Sequence, residues 1–341
     1  MREASPVGVD PGLGGAAIAS GGTGFLEPIR GELDTFERRL HETVHADLGP
    51  VADAMEHILD AGGKRLRPAL VLLSARLGDP IIDHAYGAAM AIEFIHNATL
   101  IHDDLIDRAP TRRGLRTIHE SLGPNPAIII GDYYFAKGAN LMSQIGEPRI
   151  DLVLSQTVMA ICYGEMLQLT SQRKYDQSVQ EYHDKIERKT AALLAASTFV
   201  GAVLGRLAEA EVEAMRRFGH LLGMAFQIAD DVLDYRSSES EVGKPVGNDL
   251  KQGTVTLPLM LALHDETVRP RLERVLARVP MEDADYAEVV AIVRESRAIE
   301  ESYEQARSFS RRAAAELDRF APSPYREALR ELTAYVVRRK N

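Results

Sequence analysis

Three long segments without proline or glycine limit the fold of this chain more than any other feature. They span residues 88–109, 165–200 and 281–321. Each is too long for a β-strand, and apolar residues recur along it with the spacing of helix turns. The alternating pattern that is typical of strands is nearly absent from the sequence. We therefore predict an all-α fold with a single helical domain.

The N-terminal residues 1–28 differ from the remainder of the chain. They are rich in glycine and alanine, carry Glu3 and Asp10, and lack the basic start and apolar core of a signal peptide. We predict a disordered tail here and one folded domain over residues 29–341. No apolar run reaches the roughly 18 uninterrupted residues of a membrane span, so no transmembrane segment is expected.

Charge and cysteine content narrow the function further. The net charge of −10 argues against a nucleic-acid partner, because phosphate backbones require a basic protein face. The one cysteine, Cys162, excludes an internal disulfide and fits a reducing compartment such as the cytoplasm. Because Cys162 lies in an apolar run, we expect it to be buried.

Two Asp-Asp-x-x-Asp clusters carry the strongest chemical signal. A lone cluster of this kind is usually a solvated acidic turn, but apolar residues flank both of these. On a helix, the first and last aspartates of each cluster share a face. Carboxylates at the edge of a core need a compensating cation, and oxygen ligands suit magnesium. The clusters are Asp103, Asp104 and Asp107, and Asp230, Asp231 and Asp234.

Basic residues lie beside these clusters in the sequence. A glycine pair at residues 62–63 precedes Lys64 and Arg67 at a predicted helix start, which is a favourable place for an anion. Two arginines follow the first cluster, and arginine suits bidentate phosphate contacts. His96 lies two helical turns before Asp103, where a core histidine and a ligand contact are both open interpretations. The basic residues are Lys64, Arg67, Arg112, Arg113, Lys189, Lys244 and Lys251.

Together these motifs resemble those of the trans-isoprenyl diphosphate synthases, the polyprenyl synthetase family. The resemblance covers about residues 29–341, which would be the catalytic domain. The segments that carry it are residues 62–68, 100–114, 131–132, 189–190, 227–234 and 243–250.

The resemblance implies an isoprenoid-synthase-like helical bundle around a central cavity, usually a homodimer. It implies about three magnesium ions per active site, held between carboxylates and diphosphate. The direct metal ligands would be Asp103, Asp107 and Asp230, supported by Asp104, Asp231 and Asp234. The catalytic residues would be Asp103, Asp107, Asp230, Lys189 and Arg112.

The same resemblance assigns two diphosphate substrates. The enzyme would condense isopentenyl diphosphate with an allylic diphosphate, head to tail and in trans, and deliver the product to a membrane. The allylic diphosphate would contact Arg112, Lys189, Thr190, Gln227 and Lys244. Isopentenyl diphosphate would contact Lys64, Arg67, His96 and Arg113. Many relatives carry lysine at the position of Thr254, so one cationic contact is either missing or supplied by Lys251.

Product length would depend on the side chains four and five residues before the first cluster. Ala98 and Thr99 are small, and each opened helix turn admits roughly one more isoprene unit, so we expect a product of about C30–C50. Replacing Ala98 with phenylalanine should shorten it.

Other functions stay open at this point. A shorter-chain farnesyl or geranylgeranyl diphosphate synthase would share every one of these motifs. A terpene cyclase would share one aspartate-rich motif, and a non-catalytic partner subunit would usually lack intact aspartate clusters. Glu42 with His45, and Glu93 with His96, have the spacing of di-iron carboxylate bundles. That interpretation leaves both aspartate clusters unexplained.

Overall fold

The computed structural model describes residues 24–236 and 247–338, and in this part of the chain helices dominate. A two-stranded antiparallel hairpin interrupts them, with β1 at Thr111–Arg112 and β2 at Leu115–Arg116. The predicted all-α fold is confirmed.

The α-helices follow one another with short connections. The first eight are α1 Arg30–His45, α2 Gly49–Asp60, α3 Leu66–Ala75, α4 Ile82–Ile106, α5 Ile118–Leu122, α6 Pro124–Ser143, α7 Pro148–Thr170 and α8 Val179–Ile186. The remainder are α9 Ala192–Leu204, α10 Glu209–Arg236, α11 Asn248–Lys251, α12 Leu257–His264, α13 Arg269–Leu276, α14 Asp283–Glu295, α15 Ala298–Glu316 and α16 Pro324–Arg338.

Two long helices, α4 and α10, carry the aspartate clusters near their C-terminal ends. Helix α4 packs against α6, α3 and α9, while α10 packs against α9 and α15. Both therefore belong to one continuous hydrophobic core. Small residues allow the close approach of these helices. A Cβ atom at Gly138 would lie 2.9 Å from the Ala91 carbonyl oxygen, and one at Gly223 would lie 2.5 Å from the Ala191 Cα.

The ordered domain begins earlier than the predicted boundary at residue 29. Residues Gly24–Ile29 form a 3₁₀ turn in which Phe25 and Leu26 are buried, and the Phe25 ring lies 5.1 Å from the Tyr335 ring. These large apolar side chains bind the segment to the core despite its glycine-rich neighbours. The predicted disorder of residues 1–23 concerns a part of the chain outside the described residues.

Helix α7 corrects one expectation and bears on a second. Cys162 is exposed on it, because an apolar run here also covers an outward face of the bundle. By length and composition α7 qualifies to cross a membrane, with 33% of the relevant window buried. A single helix of this kind is weak support for a span, since core helices pass the same test.

Candidate active site

The first aspartate cluster lies at the C-terminal end of α4. Asp103 and Asp107 are half-buried on a shared face, as their spacing predicts. Asp104 is turned away from them and buried, and the Arg112 guanidinium lies 2.7 Å (Nε) and 2.6 Å (Nη2) from its Oδ1. Arg112 therefore neutralises Asp104 directly, an ion pair that the sequence did not predict.

Burial disfavours the charged forms of the two facing carboxylates. It raises the pKa of Asp103 to about 6, an effect that Lys189 opposes and Glu165 and Asp107 increase. The pKa of Asp107 is also raised, chiefly by burial. A nearby cation would stabilise the charged forms of two partly buried carboxylates that lie this close together.

Lys189 is brought to this pair by a π-helical turn, residues Glu187–Ala191. Its ammonium group forms an ion pair with Glu165 of α7 and lies 3.9 Å from Asp103 Oδ2. The turn can approach α7 because of Gly164, where a Cβ atom would lie 2.7 Å from the Lys189 backbone nitrogen. π turns are frequent at functional sites. Sequence reasoning found Lys189 but missed Glu165, which lies on a separate helix.

The second cluster holds its middle aspartate inside the protein. Asp231 is buried and accepts hydrogen bonds from Tyr182 Oη at 2.6 Å and Gln227 Nε2 at 2.8 Å. Gln227 Oε1 in turn accepts one from Thr190 Oγ1 at 2.7 Å. Burial raises the pKa of Asp231 to about 7. The structure thus joins Thr190 and Gln227 as predicted and adds Tyr182, which no motif indicated.

The two flanking aspartates of this cluster are half-buried. Asp234 accepts hydrogen bonds from the backbone N–H groups of Asn248 and Asp249, each at 3.2 Å, and so fixes the start of α11. Burial, together with the charges of Asp234, Asp231 and Asp230, raises the pKa of Asp249 well above its usual range. Asp249 is therefore a further acidic residue of the site that sequence reasoning left unassigned.

A second group of residues forms a basic pocket. Burial, assisted by the charge of Arg113 and opposed by those of Glu93 and Asp230, lowers the pKa of Arg67 to about 10. Burial and the charges of Arg67, Arg113 and Arg112 hold the pKa of His96 well below its usual range. The buried Arg67 Nε has no hydrogen-bond partner among the described residues. An unpaired buried donor in a basic pocket favours an anionic ligand.

The loop before α3 presents this pocket. Arg65 adopts a left-handed backbone conformation, with φ 45°, and its buried guanidinium bonds Glu37 at 2.5 Å and Glu93 at 2.8 Å. These ion pairs fix the loop, a role that the sequence did not reveal. Lys64 is exposed beside it, with its ammonium 5.8 Å from the Tyr335 ring centroid. A Cβ atom at Gly63 would lie 3.1 Å from the Arg113 guanidinium.

The di-iron interpretation fails on the same contacts. Glu93 is bound by Arg65, and His96 is surrounded by arginines that would repel an iron ion. His45 lies beside His41 and Glu56 instead. Within the described ranges, the two Glu-x-x-His pairs do not form one metal cluster.

A polar cavity of about 190 Å³ lies between the two clusters. It brings together residues of α4, α7, α8, the π turn, α10 and the segment around α11. Lys244, which was predicted to contact the allylic diphosphate, lies outside the described residues. The lining residues are Asp107, Gln168, Tyr182, Lys185, Ile186, Lys189, Thr190, Gln227, Asp231, Asp249, Gln252, Thr254 and Thr256.

Lys185 is the second lysine of this cavity. It is buried one turn before Lys189, and its ammonium donates to the Val255 carbonyl at 3.3 Å. Burial lowers its pKa, while Asp231 and Asp249 oppose that shift. Lys251, by contrast, forms an ion pair with Asp283 at 2.5 Å and does not line the cavity, although its neighbours Asp249, Gln252 and Thr254 do. Lys185 was missed because it stands outside every motif.

The two small residues above the first cluster face different surroundings. Ala98 is fully buried and shares a face of α4 with Ile95 and His102, which lie against glycines of α6. Thr99 is half-buried, is spaced four residues from Asp103, and donates to the His96 carbonyl at 2.7 Å. Thr99 therefore lies nearer to the open face of the site than Ala98 does.

The ligand atoms of the two clusters suit magnesium, which needs only a few protein ligands, better than a metal that is coordinated by protein side chains alone. All donors are carboxylate oxygens, yet in the described ranges these aspartates do not converge closely enough for three of them to hold one ion. Magnesium takes one or two carboxylates and completes its octahedron with water and phosphate. The site thus offers partial coordination beside basic residues that suit a phosphate ligand.

The comparison with known families agrees with this geometry. The family model for polyprenyl synthetase matches residues 50–293. The chain belongs to the polyprenyl synthetase family. The resemblance of its motifs to those of trans-isoprenyl diphosphate synthases is thereby confirmed.

Curated relatives of this prenyltransferase cover nearly its whole length. Heptaprenyl diphosphate synthase component 2 of Geobacillus stearothermophilus is 39% identical over 308 residues, covering 90% of this chain and 96% of that protein. Short chain isoprenyl diphosphate synthase of Methanocaldococcus jannaschii is 35% identical over 280 residues, covering 78% and 85%. Relatives of both product classes are thus similar to the chain.

A solved structure shares the fold of this family member. The crystal structure of a polyprenyl synthase from Caulobacter crescentus CB15, complexed with calcium and isoprenyl diphosphate, matches with a TM-score of 0.87. It is 34% identical, and the match covers 93% of this chain and 97% of that one. The helical architecture of the chain is that of the polyprenyl synthases.

Proposed function

We propose that this prenyltransferase is a magnesium-dependent synthase that condenses isopentenyl diphosphate with an allylic diphosphate, in trans and head to tail, to a long-chain product of about C30–C50. The observation that carries the proposal is the presence of two distinct anion environments. One is the cavity between the aspartate clusters with Lys189 and Lys185. The other is the basic group of Arg67, His96 and Arg113, in which Arg67 and His96 are half-buried and Arg113 is exposed.

The aspartate cavity suits the allylic diphosphate. Asp103, Asp107 and Asp230 would hold the magnesium ions, which supply Lewis-acid stabilisation of the leaving diphosphate. The other three aspartates would hold neighbouring groups in place: Asp104 binds Arg112, Asp231 binds Tyr182 and Gln227, and Asp234 binds the start of α11. Contacts to the diphosphate would come from Arg112, Lys189, Thr190 and Gln227, with Lys244 as a further candidate. Asp104 releases Arg112 or shares it when the diphosphate binds.

The basic pocket suits isopentenyl diphosphate. Lys64, Arg67, His96 and Arg113 would bind its phosphates, and the unpaired Arg67 Nε would gain an acceptor. With both substrates bound, the allylic C–O bond breaks and the double bond of isopentenyl diphosphate attacks the allylic carbon. The new bond leaves a positive charge on C3 of the isopentenyl unit, and loss of a C2 proton to the released diphosphate restores a double bond. Exclusion of water protects the cation from hydrolysis.

Product sizing after incubation with isopentenyl diphosphate, Mg²⁺ and allylic primers of several lengths tests this function. We expect elongation that stops when the metal is chelated, and a loss of roughly 10²-fold or more in Asp103→Asn, because charge stabilisation at the leaving group is removed. Asp318→Asn, at an exposed carboxylate paired with Arg330, is the matched control. Absence of elongation with every primer would refute the proposal, and a cyclised product without isopentenyl diphosphate would identify a terpene cyclase.

Lys185 is proposed to supply the cationic contact that Thr254 lacks. Lys185→Met should therefore raise the KM for the allylic substrate, by roughly tenfold for the loss of one charged hydrogen bond. Lys251→Met removes a lysine of the same region that is bound by Asp283, and we expect its KM to match the wild type. Equal effects of the two substitutions would contradict this assignment, as would a strong effect of Lys251→Met alone.

Product length is proposed to depend on Thr99, on the open face of α4. Thr99→Phe should shorten the product by several isoprene units, since each turn of helix corresponds to about 5.4 Å of cavity depth. Thr99→Ser preserves the small size and serves as control, while Ala98→Phe tests the fully packed position beside it. An active Thr99→Phe variant with unchanged products would show that depth is set elsewhere, and farnesyl- or geranylgeranyl-sized products of the wild type would favour the shorter-chain alternative.

The chain is proposed to form a homodimer in the cytoplasm, from which the product passes to a membrane. Helices α6 and α7 expose large apolar side chains on one side of the bundle, and a contact with a second copy would bury them. On α7 they recur at helical spacing. The exposed residues are Ile128, Ile129, Tyr133, Leu152, Met159, Tyr163 and Met166.

Met159→Glu, at a side chain that is 72% exposed, should shift the protein from dimer to monomer in sedimentation or light scattering. A charge buried against an apolar partner is costly, whereas the control Val279→Glu adds the same charge at an isolated exposed residue. The name "component 2" of the relative raises a second candidate, a different partner subunit on the same surface. A purified chain that is monomeric and inactive alone would favour that candidate.

A further inference from the structure

We propose that His41, His45 and Glu56 form a transition-metal site, for a Zn²⁺-like cation, outside the aspartate cavity. His41 and His45 are four residues apart on α1, and Glu56 lies on α2. One ligand atom of each side chain lies within 4.8 Å of the other two. In the described ranges, no other group of three such side chains is this compact.

The separations fit a single small ion. His41 Nδ1 lies 2.9 Å from Glu56 Oε2, and His45 Nε2 lies 3.6 Å from Glu56 Oε1. Bonds of roughly 2.1 Å at tetrahedral angles place ligand atoms roughly 3.4 Å apart, so small rotations of these side chains would complete the geometry. Two imidazoles and one carboxylate with an open fourth position are a common ligand set for zinc.

The environment of Glu56 is stronger evidence for a bound cation than that of the two histidines. Glu56 Oε1 is buried and has no hydrogen-bond partner among the described residues. A buried carboxylate oxygen without a partner is unfavourable, and a cation between it and His45 Nε2 would satisfy it. The 3.6 Å gap between these two atoms is too long for a hydrogen bond but suits two ligands of one ion.

The scaffold around this group is fixed independently of any metal. Asp47, in the turn between α1 and α2, forms an ion pair with Lys137 and accepts a hydrogen bond from Tyr134 Oη at 3.1 Å. Lys137 also donates to the Thr43 carbonyl at 2.8 Å. Glu42, the neighbouring acidic residue, is bound to Arg38 at 2.9 Å and does not compete. The two helices are thus held at the angle that brings the three ligands together.

A bound ion would clip α1 to α2 just before the glycine loop that presents Lys64 and Arg65. Since the unfolded chain lacks a preformed site, metal binding would add to the stability of this helix pair. The function of the site would be structural, because none of its three residues lines the aspartate cavity or belongs to the basic group around Arg67 and His96.

The test is a titration of the full chain with Co²⁺ in the presence of excess Mg²⁺, which occupies oxygen-only sites. We expect one equivalent of Co²⁺ to bind and to give the visible absorption band of tetrahedral cobalt with nitrogen ligands. Addition of Zn²⁺ should displace the cobalt and remove the band. His41→Ala, His45→Ala and Glu56→Gln should each weaken binding at least roughly tenfold. His45 is 69% exposed, so His45→Ala should fold normally, which circular dichroism verifies.

His220→Ala is the matched control. His220 is a half-exposed helical histidine with Nε2 3.7 Å from Glu187 Oε1, but without a second histidine. Its removal should leave cobalt binding unchanged. Thermal unfolding gives a second measurement, because Zn²⁺ should raise the Tm of the wild type and not that of His45→Ala. Absence of the cobalt band, or a band that survives both His41→Ala and His45→Ala, would overturn the proposal.

Discussion

The burial of neighbouring carboxylates is the constraint on which the organisation of this protein depends. The pKa of Asp103 is raised to about 6 and that of Asp231 to about 7, both by burial. Asp103 also lies at the C-terminal end of α4, where the helix dipole disfavours a negative charge. The fold holds these charges together at a cost in stability, and the intrinsic cations Lys189 and Arg112 offset part of it. Such strain is expected of a site whose ligands are cations and phosphates.

The two aspartate clusters look alike in sequence and are unequal in structure. In the first, Asp107 lines the cavity and Asp103 lies beside Lys189, while Asp104 is neutralised by Arg112. In the second, hydrogen bonds from Tyr182 and Gln227 immobilise the middle residue, Asp231. The acidic motif therefore combines open carboxylates with carboxylates that fix their surroundings. The middle aspartate of each cluster belongs to the latter kind.

Much of this could be predicted because helical spacing is a local property. The long segments without proline or glycine indicated helices, and the four-residue spacing placed Asp103 and Asp107 on one face. What the sequence did not reveal comes from distant positions or from a change of helical register. Tyr182 reaches Asp231 across 49 residues, and helical periodicity does not indicate the π turn that directs Lys189. Periodicity also cannot separate an apolar face that packs in the core from one that faces outward, which is why Cys162 was misplaced.

The proposed control of product length along α4 would involve a distant part of the fold through the layer beneath Ala98. Phe94, one turn below Ala98, is fully buried and stacks on Tyr134 of α6 with ring centroids 5.3 Å apart. Tyr134 donates to Asp47, which is also bound by Lys137, so these rings cannot shift without disturbing the turn between α1 and α2. A growing chain that followed the α6 side of the helix would meet this fixed aromatic layer after one turn. A chain that followed the face of Thr99 would instead meet Ile95, four residues before Thr99, which lies against Gly138 of α6. Under the proposed role of α4, the direction in which the chain descends would therefore matter as much for product length as the size of the residues that line the helix.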